Sequence, residues 1–171
     1  MKRQDLSFLD SVSEIDWARL AAYIDGEGCL VISGQNGASK SSRRVYYAEL
    51  RIANTDFRLL GWLKAKFGGA FHVYRKNTQG RLPCGSWAVA SRHAAVIVTR
   101  CLPYFIVKKE QAEVILAFQA TILPDRRYGR SGRPKELIAH QDTLVNQLSD
   151  LKGPIGQRRG RRKDETSMTI Q

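Results

Sequence analysis

The stretch Leu20-Ala21-Ala22-Tyr23-Ile24-Asp25-Gly26-Glu27-Gly28 decides the fold. It runs small and apolar as far as Ile24, then sets two acids among two glycines. Just upstream, Ser13-Glu14-Ile15-Asp16 has the capping-box pattern, and Ile15, Ala18, Ala22 and Asp25 follow at helical spacing. The pattern predicts a helix over 14–25, stopped by Gly26 and Gly28. An acid between two glycines is by itself ordinary turn chemistry, so the meaning of Glu27 depends on its surroundings.

Residues 29–34 and 43–53 on either side of a Gly/Ser/Lys stretch are rich in β-branched and aromatic types, which predicts a long β-hairpin. Leu59, Leu60, Leu63 and Phe67 then step as a helix ended by Gly68-Gly69. A second hairpin is expected from Phe71–Lys76 and Ser86–Ala90, joined by a polar, basic loop. Ser91 is expected to cap a short helix to Cys101, Pro103 to break it, and Lys109–Ile122 to form another with Ala112, Ile115, Phe118 and Ile122 inward. Pro134 opens a last helix with Leu137, Gln141, Leu144, Leu148 and Leu151 on one face. The order helix-strand-strand-helix-strand-strand-helix indicates an α+β domain over 1–152, an antiparallel sheet covered by helices on one face. From 153 to 171, glycine, proline and cations without apolar period predict a mobile basic tail.

Strict alternation turns Tyr46, Ala48, Leu50 and Ile52 to the core and Arg43, Val45, Tyr47, Glu49 and Arg51 to the other face. It likewise sends Leu30, Ile32, Phe71, Val73, Trp87 and Val89 inward, and Ser33, Gln35, His72, Tyr74, Lys76 and Ser86 outward. The outward set is polar and basic, and a two-stranded ribbon fits the major groove of DNA. A solvated sheet face is the plain alternative.

Composition narrows the partner. Lys and Arg outnumber Asp and Glu 28 to 16, a net +12 that points to a polyanion, with nucleic acid first. No apolar run approaches the roughly 18 residues of a membrane span, so no membrane attachment is expected. The three cysteines are odd in number and lack C-x-x-C spacing, which indicates neither a disulfide framework nor a zinc site. That cysteine usage predicts a reducing setting, and an intracellular one is expected since Met-Lys-Arg-Gln-Asp-Leu-Ser begins no apolar leader. Organelle and bacterial or phage cytoplasm are not separable.

The nine-residue stretch resembles the defining motif of the LAGLIDADG homing endonucleases, with Ala22 where the family usually has glycine and Glu27 where it usually has aspartate. Leu102–Ala112 is similar to the family's run of proline, aromatic, basic pair and Gln-Ala. Ile52-Ala53-Asn54-Thr55-Asp56 is similar to the segment that carries an amide residue near the metals. The likeness spans about 14–150.

That resemblance implies an αββαββα fold with a β saddle, acting on a double-stranded DNA target. It implies a homodimer, because the chain carries one copy of the motif. Ala18, Ala21 and Ala22 would let the helix pack against its symmetry mate and bring two Glu27 carboxylates to the scissile phosphates. Glu27 is the implied ligand for Mg²⁺ or another hard divalent cation such as Mn²⁺, with Asn54 and Lys108 as further catalytic candidates. Asp25 reads better as a hydrogen-bonding group at the helix end than as a ligand. The expected function is site-specific double-strand cleavage of the mobile intron or intein type. A non-cleaving nucleic-acid binder on the same fold, such as an intron RNA maturase, is the alternative.

Overall fold

The computed structural model describes residues 5–35, 45–75, 82–122 and 133–153. Arg43, Lys76, the side chains of Gln35 and Val45, and the tail from 154 onward lie outside what is described. After a 3-10 turn over Ser7–Ser11 the elements run α1 (Glu14–Glu27), β1 (Gly28–Gln35), β2 (Val45–Asn54), α2 (Phe57–Phe67), β3 (Ala70–Arg75), β4 (Cys84–Ala90), α3 (Ser91–Cys101), α4 (Lys109–Ala120) and α5 (Lys135–Asp150). A second 3-10 turn over Leu102–Tyr104 precedes α4.

α1 begins as its capping box predicts. The Ser13 hydroxyl accepts from Asp16 N at 3.2 Å and donates to the Asp16 carboxylate at 3.0 Å. That carboxylate, buried, also meets Lys66 Nζ of α2 at 3.1 Å, which ties the first helix to the second. At the other end the helix runs two residues beyond the expected stop, so Glu27 is its last residue. Gly28 then lets β1 leave directly from the helix. A Cβ there would lie 2.6 Å from Ile24 Cα, a backbone clash no side-chain movement could relieve. α2 ends by a different route, at Gly68 with φ +67 and Gly69 with φ +84, a left-handed pair suited to glycine.

The four strands form one sheet in the order β1-β2-β4-β3, every neighbouring pair antiparallel. The helices lie on one face: α1, α2, α3 and α4 against β2, α2 and α3 also against β4, and α5 against α4 and β1. Between these layers Leu20, Ile24, Leu30, Leu50, Ile52, Leu63, Phe67, Trp87, Ile97 and Phe118 are fully buried. Trp17, Trp62 and Trp87 each meet the ring of Phe67, tilted or edge-on. Among the described residues no helix lies over the other sheet face.

Three further expectations change. Val73 is 50% exposed rather than inward, because the pairing of β3 with β4 shifts register between Val73 and Arg75 and the period of two is lost there. Ser91 does not cap α3; it is the first helical residue, with φ +53, and no side chain bonds at that terminus. Ala21 is 0% exposed in the core of its own chain and is therefore withdrawn from any dimer contact.

Candidate active site and nucleic-acid face

Glu27 stands at the C-terminal end of α1 with its carboxylate exposed. The helix dipole makes this an unfavourable place for an acid, and the last turn of α1 has no basic residue of its own. Two groups from distant parts of the chain address that end. Asn54, the last residue of β2, donates from Nδ2 to Glu27 Oε2 at 2.5 Å. Its Oδ1 accepts from Asp56 N at 2.7 Å, so the amide is turned with its donor side toward Glu27.

The second group comes from the segment before α4. Lys108 Nζ donates to the Ile24 carbonyl at 2.8 Å and to the Asp25 carbonyl, placing a cation on the terminal carbonyls of α1. The Asp25 carboxylate points the other way. It accepts the backbone N–H groups of Ile106, Val107 and Lys108 at 2.8, 3.2 and 2.9 Å, and so closes the turn that starts α4. Further back, Tyr104 Oη donates to Glu14 at 3.0 Å, so this segment lies along α1 from one end to the other. The sequence places Lys108 facing a reacting phosphate; in the fold its ammonium is engaged by the helix it serves.

Sequence reading missed Arg58. Its guanidinium bonds the Asp56 carboxylate at 2.6 Å, and Asp56 caps α2 through Arg58 N at 2.9 Å, two residues beyond Asn54. The arginine holds the Asp56 carboxyl down to about pKa 2. The Asn-Thr-Asp-Phe-Arg spacing, a turn followed by a helix cap, is the signal that could have found it.

On the open sheet face the fold brings together most of the residues proposed to touch DNA. Tyr47, Glu49, Arg51, His72 and Ser86 line one depression, and Ser33 reaches it through a bond to Glu49. Tyr74 stands exposed farther along β3. Glu49 is not a free contact: it is buried, and its two oxygens accept from Arg51 Nη2 at 2.7 Å and Ser33 Oγ at 3.2 Å. His93, at the margin of the depression, is also buried; its Nε2 donates to the Phe67 carbonyl at 2.8 Å, and desolvation lowers its pKa.

The remaining surface of interest is the outward stripe of α1. Ile15 is 65% exposed, Ala22 is exposed and Ala18 half-buried, while a Cβ at Gly26 would meet nothing within 4 Å. Among the described residues no three His, Cys, Asp or Glu side chains cluster; of the two carboxylates at this end of the helix, Asp25 is engaged by backbone N–H groups and Glu27 is exposed. No described helix is long and apolar enough to cross a membrane.

A four-stranded antiparallel sheet with its helices on one face is the fold this chain shares with solved homing endonucleases, one of them named as a LAGLIDADG meganuclease. It superposes on the homing endonuclease I-CvuI in complex with its target with a TM-score of 0.64, at 18% identity over 92% of this chain and 87% of that one. The archaeal intron-encoded I-Vdi141I, complexed with DNA, gives 0.62 at 11% identity over 92% and 90%. The LAGLIDADG meganuclease I-AabMI, bound to uncleaved DNA, gives 0.53 at 20% identity over 75% of this chain and 43% of that one. No protein-family model matches the sequence. No curated protein matches it either.

Proposed function

We propose that the chain is the subunit of a homodimeric, metal-dependent, site-specific double-strand DNA endonuclease of the homing type. The observation that carries this reading is the exposed Glu27 carboxylate at the end of α1, oriented by the Asn54 amide, in a chain whose sheet presents Tyr47, Arg51, His72 and Ser86 on the face away from the described helices. Similar folds have been solved on DNA, two of them in the presence of calcium and one in the presence of magnesium. The net charge of +12 per subunit, used twice, suits neutralisation of many phosphates.

The donor set fits a hard divalent cation such as Mg²⁺ or Mn²⁺, since carboxylate oxygen is what such ions take. Glu27 from each subunit would hold it, and when bound it supplies a polarised phosphoryl oxygen and an acidified water. The chain's own groups do the positioning. Asn54 fixes the Glu27 carboxylate, while Asp25 and Lys108 fix the helix end that carries it. Packing of α1 on its symmetry mate through Ala18, Ala22 and Gly26 would set two such ends side by side. In the hydrolysis, water oxygen bonds to phosphorus as the bond to the departing sugar oxygen breaks.

One observation favours a second reading. The Lys108 ammonium, an expected partner for the developing phosphate charge, is occupied by carbonyls of α1. A non-cleaving binder on this fold, such as an intron RNA maturase, would need nothing more of it. Incubation of purified protein and Mg²⁺ with DNA spanning the host gene's intron-free junction separates the two. A mapped double-strand cut that EDTA abolishes is the expected result, and tight binding without any cut would favour the second.

A further inference from the structure

Glu49 sets a physical problem. It is a buried carboxylate on the face proposed to meet a polyanion, in the central part of the sheet. Its own side chain is 10% exposed and both oxygens are already bonded, so it is poorly placed to accept from a base. Arg51 is different. Two residues along β2 on the same face, its side chain is 53% exposed while one nitrogen is anchored on Glu49.

The neighbours sharpen this. In register, Arg51 lies between Cys29 of β1 and Ala88 of β4, and Glu49 between Val31 and Ala90. Short side chains thus flank the arginine on both sides. Ser33 bonds the far carboxylate oxygen and stops Glu49 from turning away. The result is a guanidinium whose direction is set before any ligand arrives, which reduces the side-chain entropy lost on binding.

A flexible surface cation is enough for a phosphate, and a fork with one fixed orientation suits a flat acceptor pair. In the major groove that pair is O6 and N7 of guanine. We propose that Arg51 reads a guanine in the target, one in each half-site, with Glu49 as its positioning residue. This rests on the proposed function above, since it presumes that the open sheet face enters the groove.

Selection of bound sequences from a randomised duplex library, in EDTA so that nothing is cut, tests it with the full-length protein. Wild type should enrich a two-fold symmetric site with a guanine at one position of each half. Arg51→Lys keeps the charge but not the fork; it should lose that guanine alone, weakening binding to the selected site by roughly ten- to a hundred-fold. Its salt dependence should stay as in wild type. Glu49→Gln should blur the same position and no other, read at a temperature where the variant is fully folded. If Arg51→Lys keeps the guanine, or if Arg51→Ala lowers affinity equally for all sequences and reduces the salt slope by about one, Arg51 is a phosphate contact and the inference is overturned. A wild-type selection that enriches no site would overturn the inference and the site-specific function together.

Discussion

Asp25→Ala removes the acceptor of three backbone N–H groups at once, those of Ile106, Val107 and Lys108. The Lys108 bond is partly buried, and an orphaned donor there costs about 1–3 kcal/mol. The other two bonds are exposed and water can replace the acceptor, so each contributes about 0.5–1 kcal/mol. The variant also removes a negative charge from the start of α4, a further loss of about 0.3–1 kcal/mol. Together these come to about 2–6 kcal/mol, which for a chain of this size lowers Tm by about 5–24 °C. Circular dichroism melting follows this, at one protein concentration because dimerisation couples Tm to concentration. Hydrogen exchange at Ile106, Val107 and Lys108 should accelerate in the variant. Asp25→Asn should fall between, since its amide keeps one acceptor oxygen but turns an NH2 toward the amides. A Tm within about 2 °C of wild type and unaltered exchange would refute the assignment of Asp25 as the clamp between α1 and α4.

Glu27→Gln should abolish cleavage while specific binding persists, because the amide keeps the shape and loses the charge a hard cation needs. In a mixed dimer of wild-type and Glu27→Gln subunits carrying different tags, supercoiled plasmid should accumulate as nicked circles if each acid serves one strand. Wild-type rates of linear product from that dimer would remove Glu27 from the mechanism. Ala22→Arg, on the outward stripe of α1, should leave the subunit folded and shift sedimentation to the 19.3 kDa species; a persisting dimer would place the interface elsewhere. His93 should make folding sensitive to acid. Burial lowers its folded pKa below the ordinary 6.5, so the ring is neutral in both states above that value and nothing is lost there. As pH falls, the unfolded chain takes up the proton first and stability declines. His93→Gln should flatten that part of the decline in urea midpoints measured between about pH 7.5 and 5, and an unchanged slope would count against it.

Much of this molecule is legible along the chain because its signals are local. The capping box at Ser13, the two hairpins and the alternation that buries Ala48, Leu50, Ile52 and Trp87 depend on residues a few positions apart, and the sequence by itself determined them. So did the helix that ends in an acid. The division of that helix into faces is another matter. Ala18, Ala21 and Ala22 are alike in size and equally at home inside or outside, and only packing against α3 and β2 decided that Ala21 is core while Ala22 faces out. The hydrogen-bond partners of Asp25 and Lys108 lie 81 to 84 positions away, beyond the reach of any periodicity. Glu49 alternates outward as expected, yet tertiary structure alone set Ser33 and Arg51 around it and turned an apparent surface acid into a buried anchor. Local pattern chooses which face a side chain takes; what meets it there depends on which distant segments the core brings together.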